Sequence, residues 1–404
     1  MKKFRLVQII FWTLVMLFIS TGIAWSADLD SIVGVQKYDR AIHIMAMLLV
    51  GFGFLMVFVR QYGRSAVTAT YLLVSVAIPL YILKDSLGIM GGPSVDIDKL
   101  ILAEFAAASL LICAGAALGR LKMSQYILLG ILFLPCYAFN EWVLLKNGLG
   151  LITSGSFVDT GGSIVIHAFG AIFGLGVIMT MTSKNEFDLP IESDATSDRF
   201  SLLGSTVLWL FWPSFCSALV APELVPHTAI NVIMALSGAT IATYFASTLL
   251  RGKISAADIA NAALAGGVAI GSTCDSASFV SAFMVGVLAG ALSTFGFAVL
   301  QPKIEAILKG RDTCGVMNLH GMPGLMGGIA AIFVVSRINI GAQLIGIGIT
   351  ILIAAIAGFI VGKIVSALGR MPVPYDDAAE FELPMVPALG SSAVAYDGTE
   401  PAKL

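Results

Sequence analysis

The sequence predicts an all-α, polytopic membrane protein, and three observations carry that prediction. Of 404 residues, 58% are hydrophobic and 12% charged, with a mean hydropathy of +0.93. A soluble globular chain carries about a quarter charged residues, so roughly half the expected charge is missing. The shortage is uneven, because long apolar windows recur along most of the chain and charges fall in short clusters between them. Together these features exclude an ordinary water-soluble enzyme and a disordered chain. The net charge of −2 offers nothing to attract a nucleic acid. Five cysteines, an odd number without paired spacing, argue against a disulfide framework or a zinc site. The 16 methionines read as lipid-facing or core filler rather than metal ligands, and no cofactor is expected.

The elements follow in order. Residues 1–27 have a basic start (Lys2, Lys3, Arg5), an apolar stretch from Val7 to Ile23 and the small-residue pattern Ala24-Trp25-Ser26. This reads as a cleavable signal peptide, although the apolar part is long enough to remain as an extra span. Eleven windows of spanning length follow, at about 41–59, 66–83, 99–119, 125–145, 163–182, 200–220, 228–249, 256–273, 277–299, 315–336 and 341–368. Each is close to the roughly 17–25 residues that a ~30 Å hydrocarbon core requires. With the mature N-terminus outside, fourteen Lys and Arg fall on the cytoplasmic side, six outside and three in the leader. The positive-inside rule therefore places the C-terminus in the cytoplasm of a multi-pass inner-membrane protein. Residues 28–370 form the membrane domain. The last stretch, 371–404, with Pro372, Pro374, Pro384, Pro387 and acids from Asp376 to Glu382, reads as a mostly disordered cytoplasmic tail. Five glycine pairs stand at i, i+4 (Gly115/Gly119, Gly170/Gly174, Gly267/Gly271, Gly286/Gly290, Gly324/Gly328), the spacing that lets spans approach closely.

Two segments repeat. Asp159-Thr160-Gly161-Gly162-Ser163-Ile164-Val165-Ile166-His167 and Asp312-Thr313-Cys314-Gly315-Val316-Met317-Asn318-Leu319-His320 both read D-T-x-G-x-x-x-x-H, and both open a span. They are five spans apart, so one enters from outside and the other from inside: a five-plus-five inverted repeat. Eight residues of helix rise place each His about 12 Å along its span from its Asp. Measured from opposite faces of a ~30 Å core, the two imidazoles come close together near the midplane, within hydrogen-bonding reach if they share a central axis. A lone intramembrane His is ordinarily a packing residue bonded to a carbonyl. Two of only four histidines in mirrored frames reverse that preference. For Asp159 and Asp312 the favoured reading is helix capping, which holds the His-bearing span in place.

At these segments the sequence resembles the Rh branch of the ammonium transporter/Rh glycoprotein family. The resemblance rests on Asn318-Leu319-His320-Gly321-Met322-Pro323-Gly324 with Asp312 to Gly315, and on Asp159 to Gly162 with His167. It continues in Phe139-Asn140-Glu141, in Trp212-Pro213-Ser214-Phe215, in Asn261 to Gly271, and in Val50 to Phe54 followed by Arg60-Gln61-Tyr62-Gly63, covering about 38–368. What it implies is a homotrimer of eleven-span subunits, each with its own narrow apolar pore for ammonia, and carbon dioxide as a second candidate gas. His167 and His320 match the family's paired pore histidines, with Asn318 beside the second. Phe105 and Phe215 match its stacked outer-gate phenylalanines, and Glu141 its vestibule glutamate. Glu104 reads equally as a vestibule carboxylate or a solvated interfacial charge. Two departures stand out. Cys216 replaces the usual Asn after the gate phenylalanine, and Leu219 falls where the ammonium-transporter branch has a cation-site serine.

A bare ammonium ion deep in a hydrocarbon-lined channel carries the desolvation cost of a buried charge, several kcal/mol or more. No Asp or Glu falls at the expected depth of the His pair, so the expected permeant is neutral ammonia, drawn from ammonium, with methylammonium as the analogue of that substrate. Three rivals remain on this reading: a cytochrome with His167 and His320 as axial haem ligands, an ion-coupled transporter using the repeat for alternating access, and a non-transporting sensor on the same scaffold.

Overall fold

The computed structural model describes residues 2–93, 95–183, 191–371 and 373–382. Among these residues all regular secondary structure is helical, without strands. Helix α1, Lys2–Ala46, runs on through a π turn (Met47–Phe52), Gly53–Leu55 and a 3-10 turn (Met56–Phe58). No proline interrupts it, so it passes Ala24-Trp25-Ser26 without a break. Ile9, Phe11, Trp12 and Leu14 of its first part are exposed. Then come α2 (Gly63–Ser86), α3 (Asp96–Ala116), α4 (Met123–Leu145), α5 (Ser163–Met181), α6 (Ala195–Cys216) and α7 (Val225–Arg251). Helix α8 is a broken run of Ala256–Asn261, Ala262–Leu264, Ala265–Ile270 and Gly271–Thr273. It is followed by α9 (Phe279–Leu308), α10 (Met317–Val334), α11 (Ile340–Ala367) and the short α12 (Asp377–Glu380).

All eleven expected windows are thus helical. Nine helices among the described residues are long and apolar enough to cross a membrane, and the 200–220 and 256–273 windows are not among them. The reasons are local: α6 opens on Asp198 and Arg199, and 3-10 turns divide α8. Every residue from Ala262 to Cys274 is nonetheless buried, which makes α8 an internal rather than a lipid-facing helix.

The packing repeats with inverted sense. Helix α2 packs on α4 as α7 packs on α9, α3 packs on α5 as α8 packs on α10, and α1 crosses α6 between the halves. Close approach is paid in glycine. A Cβ on Gly286 would lie 2.0 Å from the Ala235 carbonyl oxygen, and one on Gly290 2.4 Å from that of Ala239, so α7 and α9 meet backbone to backbone. On the other half a ladder of rings (Phe133, Tyr137, Phe169, Phe173) fills the α4–α5 contact.

The expected disordered tail begins with ordered chain. The Tyr375 N–H donates to the Gly119 oxygen at 2.7 Å. The Asp377 carboxylate accepts the N–H groups of Arg64 (2.7 Å) and Ser65 (3.0 Å). These are unsatisfied donors at the start of α2, and an acid there satisfies both hydrogen bonding and the helix dipole. Residues 383–404 lie outside the described residues.

A Gly286→Val substitution should therefore destabilise the bundle by about 1–3 kcal/mol or more by overpacking. Gly348→Ala, where an added Cβ meets nothing within 4 Å, should be neutral or slightly stabilising. Thermal unfolding of the purified variants in detergent checks both.

Candidate functional site

The D-T-x-G motifs build the same device twice, at opposite faces. At the first, Gly162 takes a left-handed conformation (φ 76°) that turns the chain back so that Asp159 caps the coming helix. Its carboxylate accepts the N–H groups of Ile164 (3.1 Å) and Val165 (2.8 Å) and the hydroxyl of Ser272 (2.7 Å). At the second, Gly315 (φ 63°) does the same, and Asp312 accepts the N–H groups of Val316 (3.0 Å) and Met317 (3.1 Å). Each motif also docks onto the end of the third helix of the opposite repeat. Gly161 N–H donates to Gly271 O (2.6 Å) at the end of α8, and Cys314 N–H donates to Gly115 O (3.2 Å) at the end of α3. Burial raises both carboxyls above the ordinary range, Asp312 to about 6, and the N–H bonds that they accept oppose the rise.

Past each cap the chain enters its helix through a π turn, Ser163–Ala168 in α5 and Met317–Gly321 in α10. Each π turn carries one histidine. The two rings meet in the interior, nearly coplanar in orientation (6°), with Nδ1 of His167 3.2 Å from Nδ1 of His320 and centroids 5.3 Å apart. Both are buried. In such a contact one nitrogen carries the proton and the other accepts it, so the contact needs no charge on either ring, while Nε2 of His167 is buried without a hydrogen-bond partner among the described residues.

A column of rings extends from this pair. Towards the face of the first motif, Phe215 lies 6.0 Å from His167, and Phe105 lies 4.6 Å from Phe215, tilted by 50°. Trp212 stacks on His167 (5.7 Å, 22°), and Phe52 stacks on His320 (6.1 Å, 25°). Beyond His320 lies a small cavity of about 20 Å³ bordered by Phe52, Phe58, Leu319, Asn261 and Cys314. That space suits about one water-sized molecule.

Of the residues singled out in the sequence, His167, His320, Phe105 and Phe215 come together. Asp159 and Asp312 stand behind the histidines as caps. Glu104, next to Phe105, is 1% exposed with its Oε2 unpartnered, which does not fit a solvated interfacial charge. Glu141 is buried and accepts the Tyr81 hydroxyl. Asn318 donates to Gln301 Oε1 of α9 at 3.0 Å, tying the second π turn to its neighbour. Cys216 is buried, whereas Leu219 is 38% exposed. Sequence reasoning assigned no role to Trp212 or Phe52. A signal for the first was its i, i+3 spacing to Phe215, which puts both on one face of α6. The repeat pairs α6 with α1, so an aromatic stacked on one histidine implies a counterpart on the other. Among the described residues no group of three or more His, Cys, Asp or Glu is arranged to hold a metal. Nitrogens 3.2 Å apart also leave no room for a porphyrin between the rings, which removes the cytochrome reading.

Comparison with known proteins adds the family. A profile described as Ammonium Transporter Family matches residues 7–383. The bovine (Bos taurus) protein named ammonium transporter Rh type A is 35% identical over 376 residues, covering 89% of this chain and 87% of that one. The human protein named ammonium transporter Rh type B is 38% identical over 308 residues, covering 74% of this chain and 66% of that one, just under two thirds of its length. Among solved structures, the Nitrosomonas europaea Rh50 structure, titled with the mechanism of conduction by the Rhesus protein family of channels, is 53% identical with a TM-score of 0.85. It covers 88% of this chain and 94% of that one. Saccharomyces cerevisiae Mep2 shares the fold at 16% identity and a TM-score of 0.66, covering 81% of this chain and 84% of that one.

Asp159→Ala should destabilise the protein by about 1–3 kcal/mol for each buried donor left unpaired. Asp159→Asn, which keeps one acceptor oxygen, should cost less. Identical melting of the two variants would contradict the capping role.

Proposed function

The chain belongs to the ammonium transporter family, and we propose that it is an Rh-like channel through which ammonia crosses the membrane as a neutral molecule. On this reading ammonium arrives at the face of the first motif, the outer side, and loses its proton there. Ammonia then passes Phe105 and Phe215 and moves along His167 and His320 to the inner cavity. The observation that carries the reading is the direct contact of two buried imidazoles in a column of aromatic rings.

The physical argument has three parts. The stacked phenylalanines exclude a hydrated ion, so a permeant reaches the histidines stripped of water. Stripping a charge costs several kcal/mol, and no Asp, Glu, Lys or Arg lines the cavity beyond His320 to offset it. Two neutral imidazoles, each able to donate or accept, hand a small hydrogen-bonding molecule along with little change in charge. Relaying the proton through the same pair would place an imidazolium among apolar rings, so the proton stays outside. Glu104, one residue before Phe105 and with an oxygen free to accept an N–H, is assigned with Glu141 to the outer vestibule. Carbon dioxide would fit the same apolar column but has no use for paired donors and acceptors, so ammonia is the better match.

The remaining assignments belong to the same proposal. The chain forms a homotrimer with one pore per subunit, for which the exposed apolar faces of α7 (Ile233, Phe245, Leu249) and α9 (Val280, Leu288) supply surface against lipid or a neighbouring copy. The C-terminus is cytoplasmic, on the strength of the fourteen-to-six charge bias. Residues 1–27 act as a leader that is removed.

His167→Ala and His320→Ala should each lower ammonia or methylammonium flux in proteoliposomes by about tenfold, the equivalent of one lost hydrogen bond of ~1.4 kcal/mol. Unaltered flux in both, with the protein folded, removes the central role. Phe215→Ala should change uptake or admit ions that the stacked rings exclude. Stopped-flow traces indistinguishable from wild type would end the gate assignment.

A further inference from the structure

Two thiols sit beside the outer gate and take no part in the conduction path. Cys216 ends α6, one residue after Phe215, and Cys274 follows directly after α8. They are 58 residues apart in sequence, yet Cys274 Sγ lies 3.9 Å from the Cys216 carbonyl oxygen and 3.4 Å from the Gly271 oxygen. Cys216 Sγ packs on Gly161, where an added Cβ would lie 2.9 Å from the sulfur and 3.1 Å from Gly271 Cα. Both sulfurs therefore converge on one spot, the Gly161–Gly271 contact that docks the first motif onto α8. Both are buried free thiols. The Cys274 thiol is held well above its ordinary pKa, first by its contact with the Cys216 side chain and then by burial. Thiolate is accordingly scarce, so both direct oxidation and exchange at this pair are slow.

We propose that Cys216 and Cys274 form a reversible disulfide that clamps the outer gate. This rests on the gate and orientation proposed above, since disulfides persist on the oxidising side of a membrane. The step is thiol–disulfide exchange with a disulfide donor such as glutathione disulfide or a disulfide oxidoreductase. One thiolate attacks a donor sulfur and releases one donor thiol, and the second thiol displaces the other. Two protein thiols are oxidised to one S–S bond, the donor disulfide is reduced to two thiols, and the two protons pass to them. The new bond ties the last residue of α6 to the loop after α8. Phe215, its immediate neighbour, is then held against Phe105, and passage past the two rings slows.

The test uses the full chain. Purified protein is incubated with glutathione disulfide or with dithiothreitol, denatured, alkylated, digested and analysed by mass spectrometry, and matched samples are reconstituted for flux. The expected result is a Cys216–Cys274 linked peptide in the oxidised sample alone, with Cys113, Cys136 and Cys314 still alkylated. Flux in the oxidised sample should be lower by about twofold or more and recover with reductant. Cys274→Ser should keep the basal flux and lose the response to oxidant. Recovery of Cys216 and Cys274 as separately alkylated or glutathionylated peptides overturns the proposal. So does a linked peptide with unchanged flux, or a Cys274→Ser variant that responds like wild type. Absence of flux in the reduced protein would instead count against the channel reading, because the linked peptide is detected independently of transport.

Discussion

The structure turns on one contact, the 3.2 Å approach of two neutral imidazole nitrogens in an apolar interior. A buried histidine needs a partner, and each is the partner of the other. Meeting that demand fixes the positions of α5 and α10, which enter from opposite faces. Each is held by an Asp that caps it, a left-handed glycine that turns it, and a backbone bond to the end of the third helix of the other repeat. The two π turns widen the helices where the histidines project, a local departure from ideal geometry of the kind found at functional sites. Capping, docking and ring contact are therefore parts of one arrangement.

On the proposed reading the same arrangement accounts for the lack of charge along the path. Charged side chains near it are spent on structure: Asp159 and Asp312 on backbone N–H groups, and Glu141 on Tyr81. Glu104 is the exception, with one oxygen unpartnered beside Phe105. The histidines instead see Trp212, Phe215 and Phe52. On the proposed reading this surrounding favours a small neutral molecule that can both donate and accept a hydrogen bond; the twofold aromatic stacking repeats on the histidines the symmetry of the helices that carry them.

Much of this was legible in the sequence because it is written in local patterns. Hydropathy marked the helices, and D-T-x-G-x-x-x-x-H marked both caps and both histidines. The opposite entry of those motifs implied that the rings meet. Features set by partners distant in the chain were not legible. The burial of Glu104 depends on how α3 sits in the bundle, and the approach of Cys216 to Cys274 depends on α6 and α8 ending at the same place. Composition spoke against a disulfide framework, but spacing along the chain carries no information about two thiols brought together by packing. Within the tail, the capping of α2 by Asp377 was hidden for a related reason, because its partners lie more than 300 residues away in the chain.

The claim on which the account stands is that the molecule passing the histidines is uncharged and its proton stays outside. Ammonium pulses applied to proteoliposomes on a solid-supported membrane, with lumenal pH followed in parallel, test it most directly. The account predicts lumenal alkalinisation, faster than in empty liposomes, with no sustained current. A sustained, protein-dependent current would contradict it.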